Sequence, residues 1–276
     1  MVLLGGGRRV SWGVEPTLTA DATFDPATLD GEADVLCESC GYRLNGLPDD
    51  GNCPECGEPV SLSTTASPRV ASAWEASPSA SSFAGTSARV VFGPTEFFRT
   101  LRTRVDAEAD RRSKQFSRLH LAIAALLAGL AVQQHGAAVS ASWGQGVLAD
   151  FGRLPGVVIW LIVGLISFFA FIGVKALAAR LTAWEANYRG LRLPKTVVRR
   201  GMDYHAASLP VVIALVLAVV LVFRACLVAG WIEEPATYLQ AIYAYLGTLA
   251  GVCVAGAVYL FWTYWIGMKN MLYANV

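Results

Sequence analysis

LPGVVIWLIVGLISFFAFIGV, residues 154–174, runs for 21 residues without a formal charge. At about 1.5 Å of rise per residue, an uncharged helix of that length crosses a hydrocarbon core of about 30 Å. Outward from it, the chain is dominated by similar stretches. An apolar run begins near Leu119 and is diluted at its far end by Gln133, Gln134 and His135. A third runs from Ala206 to Trp231, interrupted only by Arg224, and a fourth lies within the uncharged stretch 235–268. Of the 276 residues, 54% are hydrophobic and 16% charged, a balance that points to a membrane protein. The expected fold class is therefore an all-α membrane protein with four transmembrane helices, over about 119–138, 154–177, 206–231 and 242–266.

Ahead of the spans the chain changes character. Residues 1–34 lack periodicity and read as a disordered N-terminus. Residues 1–20 are not expected to form a secretory signal, since Met1–Leu4 is too short for an apolar core and the arginines follow it. Residues 35–60 hold four cysteines in two pairs, Cys37/Cys40 and Cys53/Cys56, each pair followed by glycine, Gly41 and Gly57. Two Cys-x-x-Cys turns can present four thiolates tetrahedrally to one metal, and glycine permits the tight turn each needs. A segment of about 25 residues buries too little apolar surface to fold alone. Structural zinc, at about 10–16 kcal/mol, can supply what the core lacks. The expectation is a small N-terminal zinc-ribbon module, a rubredoxin-like knuckle, with Cys37, Cys40, Cys53 and Cys56 as ligands; two disulfides are the alternative.

Residues 61–92, rich in Ser, Ala and Thr, read as a flexible linker with an r.m.s. span of roughly 30 Å. A helix over about 94–116 follows, with Phe97, Phe98, Leu101 and Val105 mostly opposite Arg99, Arg102 and Arg104. That pattern suits a helix in the membrane interface or, alternatively, the first helix of a soluble core. Residues 93–276 thus form the membrane domain.

Charge sets the orientation. The segment before the first span is arginine-rich, and the connection from Lys175 to Arg200 holds seven basic residues and one acid, Glu185. The other connections carry Arg153, or Glu233 and Glu234. The positive-inside rule then puts both termini in the cytoplasm of a cell whose inner membrane the chain spans. A reducing compartment keeps the four thiols available for metal. The head itself is acidic, with seven carboxylates against Arg43 between Glu32 and Val60, which excludes a phosphate-binding surface and hence nucleic acid. Its partners are expected among basic groups, the nearest being the Lys175–Arg200 loop of its own chain, or among none.

Several residues within the spans are candidates for function. Arg224, seven residues before Trp231, either snorkels to the headgroups or forms a buried site with Asp150, Glu233 or Glu234. Gly247, Gly251 and Ala255 make a small-residue face of the kind that packs helices closely, within one subunit or between two copies. Cys226 and Cys253 read as ordinary buried thiols. His120, His135 and His205 form no constellation, although Asp203, Tyr204 and His205 are a possible polar cluster. No nucleophile motif or phosphate-binding glycine loop is present, so no enzyme is expected.

The stretch CESCGYRLNGLP (37–48) followed by GNCPECG (51–57) resembles the zinc-ribbon head of multi-span bacterial membrane proteins of unassigned function. It is also similar to rubredoxin-type iron sites, which keeps iron open beside zinc. GPTEFFRTL (93–101) and MDYHAASLP (202–210) resemble segments of the Yip family, Rab-interacting proteins that usually have five spans. That resemblance implies a binding scaffold in membrane traffic and no catalysis. Three functions remain open: an interaction or organising protein with an unknown protein partner, a membrane-bound iron electron-transfer protein, and a small transporter or channel.

Overall fold

The computed structural model describes residues 35–64, 69–103, 106–143, 155–191, 193–232 and 235–274. Residues 1–34, read above as disordered, lie outside them. Among the described residues, eight helices follow the cysteine segment: α1 (Ala73–Ala76), α2 (Ala80–Phe92), α3 (Pro94–Thr100), α4 (Ala107–Trp143), α5 (Gly156–Tyr188), α6 (Lys195–His205), α7 (Ser208–Val228) and α8 (Pro235–Asn270). Four helical segments are long and apolar enough to cross a membrane: Ala107–Ala138, Gly156–Tyr188, Lys195–Val228 and Tyr238–Asn270. Helix α7 spans about 32 Å, close to one hydrocarbon thickness, whereas α4, α5 and α8 reach about 50–55 Å.

The central helix is α4, which packs against both α5 and α7. In its apolar window 44% of residues are buried, against 6% for α5, so α4 tolerates the polar residues that dilute its sequence. His135, for example, is tied to the Tyr245 hydroxyl at 2.6 Å. The close approach of α4 to α5 is set by Gly129, where an added Cβ would lie 2.5 Å from the Trp160 carbonyl and 2.9 Å from the Gly164 nitrogen. Between α7 and α8 the equivalent position is Gly256, which leaves no room for a Cβ against Val212.

The excess length of the long helices gathers with α1–α3 and α6 into a base at one end of the bundle. Its core joins Trp74, Val90, Phe97, Phe98, Phe116, Tyr204 and Met271, from five helices and the chain just beyond α8. Two expectations are overturned here. Of the Ser/Ala/Thr stretch read as a flexible linker, 61–92, the described residues are structured: they begin in a 3-10 turn (Val60–Leu62) and supply α1 and α2 to the base. Ser72 caps α1 by accepting the Glu75 N–H, and Ser79 and Ser82 form a capping box that starts α2. Trp74, Thr86 and Val90 then bury what the helices present.

The predicted interfacial helix 94–116 is likewise split. Helix α3 stops at Thr100 because the chain there turns extended and pairs with Val70: Val70 donates to the Thr100 carbonyl at 2.7 Å, and Arg102 donates back to Val70 at 2.8 Å. Phe97, Phe98 and Leu101 are 3%, 0% and 2% exposed, buried in protein and not in a headgroup layer. The break between α6 and α7 falls at Ala206–Ala207, where Pro210 lacks the N–H that would continue the ladder to Ala206.

Candidate metal centre

The four cysteines lie on two copies of one turn. In the first, Cys37 donates to the Tyr42 carbonyl at 2.8 Å and Gly41 to the Cys37 carbonyl at 2.8 Å. In the second, Cys53 donates to Glu58 at 2.8 Å and Gly57 to Cys53 at 2.9 Å. Gly41 (φ 81°) and Gly57 (φ 76°) occupy the left-handed region, as the glycine spacing predicts. Each knuckle is closed by one antiparallel bridge, Leu36 to Arg43 and Asn52 to Pro59, and among the described residues neither grows into a strand. Beneath the sulfurs sit Leu44 and Val60, 2% and 1% exposed.

The Sγ atoms of Cys37, Cys40, Cys53 and Cys56 all lie within 4.8 Å of one another. Cys37 and Cys56 approach to 3.5 Å, and Cys40 and Cys53 to 3.6 Å. A disulfide would bring the pair to about 2.05 Å, whereas a tetrahedral metal bound at about 2.3 Å holds its sulfurs about 3.8 Å apart. The cysteines are free thiols at metal-sharing distance, and the set could hold one metal ion. Burial raises the Cys37 thiol and drives Cys40 up to about 12. Burial also opposes ionisation of Cys53, but the backbone N–H groups of Cys56 and Glu55, together with the Cys40 and Cys56 thiols, bring this thiol down to about 7.

The site is joined to the base. Glu38, beside Cys37, pairs with Arg69 at 2.7 Å, with the two side chains 15% and 6% exposed. The same guanidinium donates to the carbonyls of Phe98 and Leu101 at the end of α3, at 3.2 and 3.3 Å, and of Asn270 at the end of α8, at 3.1 Å. Arginine at a helix C-terminus also complements the dipole there. Gly41 abuts the Tyr273 ring, which an added Cβ would meet at 2.6 Å. A mobile tethered head is therefore replaced by a docked one. Of the basic segment 175–200, Lys175 pairs with Asp203 at 2.6 Å and Arg200 with Glu75 at 2.7 Å.

That second pair belongs to a buried network which has no local sequence signature. Glu75 and Arg200 are each 4% exposed and lie 125 positions apart. Tyr204 donates to the Glu75 carboxylate at 2.5 Å and shares a hydrogen bond with Ser72 at 2.8 Å, while Arg200 Nε donates to the Arg102 carbonyl at 2.6 Å. Arg112 donates to the Glu75 backbone carbonyl. Asp203, Tyr204 and His205 are thus no cluster, because consecutive helical residues point about 100° apart. Asp203 meets Lys175, Tyr204 meets Glu75, and His205 meets Leu260 and Thr263 at 3.0 Å.

Other candidates disperse as well. Arg224 is half-buried and has no polar partner among the described residues; Asp150, Glu233 and Glu234 lie outside them. Gly247, Gly251 and Ala255 face outward, and the two glycines have nothing within 4 Å of a built Cβ, so this face packs no helix within the subunit. Cys226 is half-buried and Cys253 exposed, contrary to the expectation that both are buried. His120 is buried between Phe83 and Phe116 and bonded to Ser87 at 2.8 Å. No protein-family model matches the chain, and no curated protein or solved structure is significantly similar to it, so the Yip resemblance gains no support.

Proposed function

We propose that the protein is an integral membrane interaction or organising protein whose four thiolates hold structural zinc on the cytoplasmic side. The observation that carries this is the Arg69 junction. One guanidinium binds the acid next to a metal ligand and the ends of two helices, one of which crosses the membrane segment. A metal in that position would act as a crosslink that completes the base. Two deeply buried charged groups, Glu75 and Arg200, are spent on each other inside this base, which favours a scaffold over a catalyst. Zinc is favoured over iron because the sequence carries no Glu-x-x-His helix pair, flavin motif or haem motif to exchange electrons with.

The cytoplasmic assignment rests on the positive-inside pattern. It is supported by the contacts that gather the cysteine turns, the Lys175–Arg200 segment and the end of α8 at one end of the bundle. Metal analysis of the full-length protein purified without chelator tests the identity of the ion. One zinc per chain and a featureless visible spectrum are expected; stoichiometric iron with a visible thiolate band would establish the electron-transfer alternative. A C-terminal reporter active only outside the cytoplasm should stay silent, and an active one reverses the orientation.

A further inference from the structure

Where α4, α5 and α6 meet the base, an open cavity of about 770 Å³ is lined by Lys114, Lys175, Arg180, Lys195 and Arg199, with Asp203 as its one acid. Lys114 is neutralised by Asp110 at 2.5 Å and Lys175 by Asp203 at 2.6 Å. Arg180, Lys195 and Arg199 are exposed and have no carboxylate partner among the described residues. Three uncompensated cations therefore converge on one concave surface. Asp203 itself is 1% exposed, and its Oδ2 atom has no hydrogen-bond partner. A buried carboxylate oxygen left without a donor calls for a hydroxyl or ammonium from a ligand.

A second cavity, of about 560 Å³, adjoins the first and shares Lys175 and Met202 with it. Its walls are Phe171, Val174, Ala178, Leu209, Leu260 and Phe261, from α5, α7 and α8. Its charged lining residues, Lys175 and Glu185, are already paired, Glu185 with Arg189 at 2.7 Å. The depth of the two is set by α5. Its uncharged stretch ends at Val174, so Lys175 marks the edge of the hydrocarbon and Arg180 lies about 7.5 Å beyond. A headgroup layer is about 5–8 Å thick on each side. The cationic cavity thus opens at headgroup level, and the apolar groove runs from the last hydrocarbon turn, at Phe171 and Val174, out into that layer at Ala178 and Leu181.

We propose that these two cavities form one binding site for an anionic phospholipid with a hydroxylated headgroup. The phosphate sits among Arg180, Lys195 and Arg199, a headgroup hydroxyl donates to Asp203, and one acyl chain lies in the groove. Phosphatidylglycerol has this chemistry; phosphatidylcholine lacks both the net charge and the donor. The site requires that the helices cross a bilayer and is independent of the metal, so loss of zinc and loss of lipid are separate outcomes.

The test is native mass spectrometry of the full chain released from vesicles of equal phosphatidylglycerol and phosphatidylcholine. One phosphatidylglycerol should be retained selectively. Each cation near a membrane surface contributes about fivefold, so R180Q/K195Q/R199Q should lower retention about 100-fold. R180K/K195R/R199K, which keeps the charge, should restore most of it and excludes misfolding as the cause. R111Q, on a residue 68% exposed elsewhere on α4, should change nothing. Ala178→Trp, which fills the groove, should also release the lipid. Equal retention of the two lipids, or unchanged retention in the triple glutamine variant, would overturn the proposal. So would displacement of the lipid by millimolar inorganic phosphate with Ala178→Trp silent, which would mark a free-anion site.

Discussion

Replacing Arg200 by methionine should destabilise the protein far more than removing any surface charge. Arg200 and Glu75 have side chains only 4% and 1% exposed, so the substitution strands a carboxylate in the base. Breaking such a pair from one side costs about 3–5 kcal/mol. The lower end is expected, because Tyr204 still donates to one Glu75 oxygen at 2.5 Å. The pair is not optimal in itself: Arg200 Nη1 has no hydrogen-bond partner, and an ion pair removed from water offsets much of its own attraction. E75L/R200M should therefore recover most of the loss, within about 1 kcal/mol of the parent.

The assay is reversible denaturant unfolding in mild detergent, followed by far-UV circular dichroism, on the parent, both single variants and the double. R189A, which breaks the exposed Glu185 pair (61% and 50%), serves as the reference and should cost less than about 0.5 kcal/mol. Additive single effects, or an R200M variant no less stable than R189A, would refute a buried pair. They would return residues 61–92 to the status of a solvated tether.

Three further outcomes follow from the same geometry. Zinc binding to the apo protein at pH 7 should release at least two protons, from Cys37 and from Cys40, whose thiol burial holds near 12. Because the metal displaces protons, affinity rises with pH and falls on acidification, as calorimetry in buffers of different ionisation enthalpy can measure. Gly41→Ala should weaken zinc binding more than Gly57→Ala in a chelator competition. Both incur the left-handed cost of about 1–2 kcal/mol, but only at Gly41 does the new Cβ collide with Tyr273. Gly129→Val should lower thermal stability by about 1–3 kcal/mol through overpacking against α5, while Gly251→Val, in open space, should be neutral in the monomer.

What was legible in the sequence is what short-range chemistry dictates. Uncharged runs such as 154–174 are long and apolar enough to be spans, and two Cys-x-x-Cys turns ending in glycine define the thiolate set whatever surrounds it. The base was illegible because its determinants are non-local. Ser72, Ser79 and Ser82 are helix caps in the structure, yet the same serines among alanines are the composition of a linker. The partner that turns Glu75 from a solvated acid into a core residue lies 125 positions away. The aromatics of α3 have one face in either environment, and only packing into the core, as of Phe97 on Tyr204, decides for protein over headgroups. A spacing of four, as in Gly247, Gly251 and Ala255, shows that small residues share a face but not what the face meets. The close contacts fall to Gly129 and Gly256, which have no pattern at all.

The arrangement of charge in the base explains why an acidic metal site and a basic segment can share one end of the bundle without meeting. Glu38 is satisfied by Arg69, and Glu75 by Arg200, both inside protein and shielded from solvent. Those two arginines are therefore removed from the positive surface, as Lys175 is by Asp203. Among the described residues, Arg180, Lys195 and Arg199 stay exposed and without a carboxylate partner on the α5–α6 side. The acids order the base internally and leave these three cations free. Had the acidic knuckle docked on the Lys175–Arg200 segment, it would have neutralised the cations that the membrane surface attracts. Docking through Arg69 leaves them available, so the metal and the lipid proposed above would draw on separate charges.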